Sequence, residues 1–137
     1  RDMDAVMAIP FWGGRVLDYP GAEIFLSVIG RRFTDETRSW EKVLDGLLET
    51  GFPDFWVVTD AASRKGATFA TKVQQGTVRS AETLDALADA MSIPRERLKA
   101  EMARYNEAAR TGLDPDFGRK RFTQTIEKPP LFRTRAL

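Results

Sequence analysis

The chain has 137 residues, a length that suits one domain, and its composition (42% hydrophobic, 30% charged, 10% aromatic) is that of an ordinary globular protein. Its net charge of +1 gives no global signal for a nucleic-acid or membrane partner. Cysteine and histidine are both absent, which excludes disulfides, thiolate and imidazole metal sites, and catalysis by a histidine base or a cysteine nucleophile. The chemistry left is that of Arg, Lys, Asp, Glu, Tyr and the backbone. A cysteine-free chain fits a reducing compartment, so a cytoplasmic location is expected. No window approaches the roughly 18 apolar residues of a membrane span, and Arg1-Asp2-Met3-Asp4 does not open a signal peptide. A first residue other than methionine suggests a chain cut from something longer.

Residues 1–21 hold Pro10, Gly13, Gly14, Pro20 and Gly21 and read as a loop-rich lead-in, with Phe11, Trp12 and Tyr19 packing on the domain. Residues 22–29 are apolar and partly β-branched, the pattern of a buried strand. Gly30 to Phe33 then predict a turn into a short return strand. From about Arg38 to Thr50 the apolar residues Trp40, Val43, Leu44, Leu47 and Leu48 form the stripe of an amphipathic helix, stopped by Gly51 and Pro53. Asp54 to Thr59 reads as a second strand, and Asp60 as the cap of a short turn through Lys65. Residues 66–79 give no clear period.

Ser80 is placed as the N-cap of the next helix, with Glu82 in its first turn and Leu84, Leu87, Ala88 and Met91 on its buried face. Ser92-Ile93-Pro94 breaks that helix and opens another over 94–111, with Leu98, Met102, Tyr105 and Ala109 as its stripe and Gly112 as its stop. Residues 113–137 lack periodicity. They carry Arg119, Lys120, Arg121, Lys128, Arg133 and Arg135 against Asp114, Asp116 and Glu127, a local excess of +3. Strands and helices in this order predict an α+β fold: a small mixed sheet with several packed helices.

The chain contains neither GxGxxG nor GxxxxGK(S/T), so a dinucleotide must be held mainly by another segment. Asp114-Pro115-Asp116 lacks the spacing of a calcium loop, and no metal is expected. The densest polar stretch is Gly30 to Arg38, between a strand and a helix, a rigid place from which to project a functional side chain. The bland alternative is that Asp35 or Thr37 caps the helix, Glu36 complements its dipole, and the arginines are solvated. Tyr105-Asn106 reads as core packing plus a local hydrogen bond. The Arg119-Lys120-Arg121 run lacks the interleaved aromatics of a nucleic-acid surface, and none is expected as a partner.

Several stretches, in order, resemble one family. Gly30-Arg31-Arg32-Phe33-Thr34-Asp35-Glu36 is similar to the G-x-R-F-x-(N/D)-E motif of the FAD-dependent fumarate reductase and succinate dehydrogenase flavoprotein superfamily, which includes 3-oxosteroid dehydrogenase-like relatives. Residues 81–88 resemble its ADTLEELA helix, Tyr105-Asn106 its YN pair, and Gly112 to Arg119 its G-x-D-x-D-F-G-R segment. Pro129-Pro130-Leu131-Phe132 resembles the PPFYA that follows. The resemblance implies a capping (clamp) domain over residues 22–132, after a lead-in at 1–21 and before an exit at 133–137 toward an FAD-binding domain of the same parent chain.

By this resemblance the chain is a fragment of an FAD-dependent oxidoreductase that transfers hydride between flavin and a carbon–carbon bond next to a carbonyl or carboxylate. The cap closes over flavin and a small carboxylate or ketone substrate; the fragment alone is inactive and retains no FAD. Arg38 is the implied proton donor or substrate clamp, and Arg32, Phe33 and Glu36 form the substrate-side motif. Arg38 follows Glu36 by two residues, where fumarate-reducing members place their arginine four after; position 40 is Trp40. Nor do residues 17–20 reproduce those members' glutamate–arginine relay. The excised domain could self-associate through the face that meets the FAD domain. A rival reading is a self-standing protein-interaction module without catalytic activity.

Overall fold

In the computed structural model the structure describes residues 6–7, 23–62, 69–122 and 124–136. Five strands, β1 (Val6–Met7), β2 (Ile24–Ser27), β3 (Phe55–Asp60), β4 (Arg79–Ala81) and β5 (Leu131–Ala136), form one sheet in the order β1-β5-β3-β2, with β4 also on β5. The β2–β3, β3–β5 and β4–β5 pairs are antiparallel, while β1 runs parallel to β5. The helices are α1 (Trp40–Thr50), α2 (Phe69–Gln74), α3 (Leu84–Met91) and α4 (Arg95–Thr111). This is the expected α+β fold with a mixed sheet.

The sheet is covered on both faces, which explains why every residue of β3 is buried. Strand alternation sends Ile24, Leu26, Trp56 and Val58 to one face, where they meet Leu87, Ala88 and Met91 of α3 and Leu98, Met102 and Tyr105 of α4. Phe25, Phe55 and Val57 point the other way, onto Trp40, Val43 and Leu47 of α1. Phe25 lies parallel to Trp40 at 6.0 Å between ring centroids, and Phe33 meets Phe55 edge-on at 5.4 Å.

Several local expectations need correction. The first buried strand ends at Ser27; Val28 and Ile29 belong to the turn, and the return strand shrinks to a single bridge, Leu26 to Arg32. Ser39 caps α1, its hydroxyl accepting from the Lys42 N–H at 3.4 Å, in place of Asp35 or Thr37. Ser80 does not cap α3, because it pairs with Phe132 in the sheet; Thr83 does, accepting from the Ala86 N–H at 3.0 Å. The unreadable stretch contains α2, and the aperiodic tail ends in β5. Val6–Met7 of the lead-in pair with Arg135 and Ala136 at the end of β5. The rest of the lead-in and residues 63–68 lie outside the described residues.

Candidate functional site

β2 lies at the edge of the sheet, and an edge strand's outward backbone groups need partners of their own. Side chains from the motif segments supply them. The Phe25 N–H donates to Glu36 Oε2 at 3.1 Å, and the Glu23 carbonyl accepts from Arg119 Nη1 at 3.1 Å. Further along, the Ser27 N–H donates to the Arg31 carbonyl at 2.7 Å. A buried carboxylate and a buried guanidinium thus stand where a neighbouring strand would be.

These groups belong to one charge cluster. Arg32 grips Glu36 with two donors, Nε to Oε2 at 2.8 Å and Nη2 to Oε1 at 2.7 Å, and reaches Asp114 Oδ2 at 3.2 Å. Arg119 Nη1 donates to Glu36 Oε1 at 2.9 Å, its Nε donates to the Arg121 carbonyl at 2.8 Å, and its backbone N–H donates to Asp114 Oδ2 at 3.3 Å. Two cations meet two carboxylates, so the cluster is neutral as a unit, the condition under which buried charges are tolerated. Arg32, Glu36 and Arg119 are only 6%, 3% and 1% exposed. The Tyr105 ring faces both guanidinium carbons, at 5.3 Å from Arg32 and 5.1 Å from Arg119; Phe117 and Phe122 stack on the two arginines in turn.

The protonation states follow from this packing. Burial by itself would lower the Arg32 pKa, but Glu36 and then Asp114 outweigh it and hold the guanidinium above its usual value. Burial likewise pushes Asp114 up, and the opposing pull of Arg32, with N–H donors from Arg119 and Asp116, brings it below the ordinary carboxylate range. Burial pushes the Tyr105 phenol up to about 12, against the field of Arg119.

Arg32, Phe33 and Glu36 therefore come together around the end of β2, the arginine and the glutamate inside the charge cluster and Phe33 half-buried against Phe55. The bland alternative for this stretch needs correction at two points: Glu36 is not a surface group complementing a dipole, and Arg32 is not solvated. Arg31 and Arg38 are exposed, as that alternative has it. Asp35 accepts from the Thr37 N–H and hydroxyl at 2.9 and 2.6 Å, and the Arg38 N–H donates to the Asp35 carbonyl at 3.1 Å. Arg38 thus stands on a pinned turn just before the cap of α1.

Asp114 and Arg119 complete the cluster; from spacing alone neither stands out as a buried charge. The signal that could have found them is their place in the resembling G-x-D-x-D-F-G-R segment. Asn106 is buried and bonds the Ile126 backbone both ways, donating at 3.1 Å and accepting at 2.7 Å, so its partner is distant in sequence rather than local. A hollow of about 560 Å³ opens beside the Arg38 turn, lined by Asp35, Thr37, Gly118, Lys120, Arg121 and Phe122.

The described residues do not fit a dinucleotide cradle. A diphosphate takes the free amides of a helix N-terminus behind a glycine turn. The positive-φ glycines Gly51, Gly76 and Gly112 follow helix C-termini, Gly30 closes the turn after β2, and Gly118 the turn after Asp114. No helix of the described residues is long and apolar enough to cross a membrane.

No family model matches the chain. In sequence it is similar to an NADH:acrylate oxidoreductase of Vibrio harveyi, 27% identical over 116 residues, which covers 81% of this chain and 12% of that protein. In structure it is similar to a 3-ketosteroid delta1-dehydrogenase from Sterolibacterium denitrificans, solved with 1,4-androstadiene-3,17-dione (TM-score 0.68, 18% identity, 85% of this chain and 26% of that one). The open conformation of a flavocytochrome c3 fumarate reductase matches as well (TM-score 0.68, 19% identity, 84% and 21%). So does a 3-ketosteroid-delta4-(5alpha)-dehydrogenase from Rhodococcus jostii RHA1, solved with 4-androstene-3,17-dione (TM-score 0.58, 23% identity, 82% and 24%). These relatives are oxidoreductases, and the chain spans between about an eighth and a quarter of their length. The chain therefore shares the fold of one segment of these dehydrogenases and of the fumarate reductase.

Proposed function

We propose that the chain is the substrate-capping domain of an FAD-dependent oxidoreductase acting on a carbon–carbon bond next to a carbonyl or carboxylate, with FAD held by another domain of the same parent protein. The observation that carries this reading is the convergence of the resembling segments: residues 30–36, Tyr105 and residues 114–119 are far apart in sequence and meet in one buried cluster. An accidental resemblance would have no reason to converge. The flavin would supply hydride transfer. This domain would shut out water and present Arg38 to the substrate, as proton donor or as clamp on its carboxylate or carbonyl oxygen. Arg32, Phe33 and Glu36 would hold that side of the cap in shape. Lys120 and Arg121, which line the same hollow as Thr37 and outnumber its one carboxylate, Asp35, favour a substrate bearing negative charge, and so a carboxylate over a neutral ketone.

The test is Arg38→Ala in the parent flavoprotein, assayed anaerobically with reduced flavin against unsaturated carboxylates and enones. Loss of a general acid costs about 10²–10⁴-fold in turnover. A variant that keeps the parental rate on every substrate would remove Arg38 from the reaction.

A further inference from the structure

We infer that Glu36 is a positioning residue, the clasp that holds the Arg38 turn and the facing Lys120-Arg121 wall in fixed register; the inference rests on the assignment of Arg38 above. The two walls of the hollow have no direct bond of their own among those described. Thr37, on one wall, follows Glu36 in the chain, and Lys120, on the other, follows Arg119. The Glu36–Arg119 contact at 2.9 Å is therefore one residue behind each wall and joins them through the protein interior. Neither partner can swing away, because each is held elsewhere. Glu36 is also bound by the Phe25 N–H and by two donors of Arg32. Arg119 is also bound by the Glu23 and Arg121 carbonyls.

From this anchor the geometry is passed outward through short links. Asp35, immediately before Glu36, ties down Thr37 through its carboxylate and Arg38 through its carbonyl. Ser39 then starts α1. The Arg38 backbone is thus fixed on both sides while its side chain is exposed, an arrangement that orders a reactive group without burying it. A carboxylate is required at position 36 because both of its oxygens accept only from donors. Glutamine has nearly the same shape, but its NH₂ would face donors on one side, either Phe25 N–H with Arg32 Nε or Arg32 Nη2 with Arg119 Nη1.

Two measurements on Glu36→Gln test this. In the purified chain, residue-resolved amide exchange should rise roughly tenfold or more at Phe25, Thr37 and Arg38 beyond any change at Met102 in the middle of α4. A merely structural role would move all four together, and that result would overturn the proposal. In the parent flavoprotein, Glu36→Gln should lower kcat roughly tenfold or more with a much smaller change in KM, and should cost nothing further in an Arg38→Ala background. Independent, multiplying losses would also overturn it. If Arg38→Ala alone left turnover unchanged, the assignment of Arg38 would fall, while the amide exchange would still decide the clasp. Should Glu36→Gln not fold, Arg119→Lys, which keeps the charge but loses the forked donor, is read by the same amides.

Discussion

At Asp114 two opposing effects act on one carboxylate, and their balance makes a prediction about acid. Burial favours its neutral form, but Arg32 and two backbone N–H donors favour the anion more, so the folded state binds this proton more weakly than the unfolded chain does. A depressed folded pKa gives stability that is complete above the ordinary value, about 4, and is lost as pH falls through the folded one. Urea midpoints should therefore drop as pH falls below about 4, and Asp114→Asn should flatten that part of the profile while lowering stability at pH 7. An unchanged acid slope in the variant would count against the Arg32–Asp114 pairing. Tyr105 behaves in the opposite sense. Among the described residues nothing bonds its buried hydroxyl, and a buried unmade hydrogen bond costs about 1–3 kcal/mol. Tyr105→Phe should accordingly be neutral or stabilising by up to about 1 kcal/mol at pH 7. Because the phenol is pushed up to about 12, the parent should lose stability as pH rises above 10 and the variant should lose less, which denaturation at pH 9 and pH 11 would show.

At the scale of elements, α1 explains a residue that its sequence pattern does not. Gly46 sits inside the helix, where alanine would ordinarily gain about 1 kcal/mol. A Cβ there would lie 2.8 Å from the Phe33 carbonyl oxygen and 3.3 Å from Thr34 Cβ, so the glycine is what lets the motif loop rest against the helix. The clash should win over the propensity, because the obstacle is backbone that Arg32 and Glu36 hold in place. Gly46→Ala should destabilise by about 1–3 kcal/mol, the usual cost of overpacking, as measured by urea unfolding. A more stable variant would mean that the loop gives way. The same contrast governs what was legible. The α1 stripe, apart from Leu48, which is exposed, the Gly51 and Gly112 stops and the β3 run are local patterns and can be read directly. β4 offers no apolar period, and β5 carries Arg133 and Arg135 within a strand whose neighbours cover it. Ser80 is a credible cap by residue type, but pairing with β5 takes it into the sheet and leaves Thr83 to cap α3, a choice that local sequence does not encode. The ion cluster was hidden for a related reason: motif residues were visible one by one, but their burial arises only when segments about 80 residues apart come together.

Taken as a whole, the described residues form a sheet with α1 on one face and α3 and α4 on the other, and the edge at β2 is closed by side chains rather than by another strand. That design leaves the Arg38 turn presented outward, as the proposed capping role requires. Among the described residues it does not offer the usual place for a dinucleotide. Ser39 and Thr83 cap α1 and α3 through their own side chains, so these helix starts already spend a donor internally. Pro94 leads α4 and brings no N–H. A flavin diphosphate would find no glycine turn leading into a helix N-terminus among the described residues: α4 leaves its first amides uncapped, but Ser92-Ile93-Pro94 leads into them. The purified chain should therefore fail to capture FAD: titration at micromolar concentrations should leave flavin fluorescence unquenched, and gel filtration should separate colourless protein from free flavin. Micromolar affinity corresponds to about −8 kcal/mol, more than scattered surface contacts to one phosphate are expected to supply. Stoichiometric capture with yellow protein would show that this domain holds its own flavin, and the assignment as a cap that closes over a cofactor bound elsewhere would have to be given up.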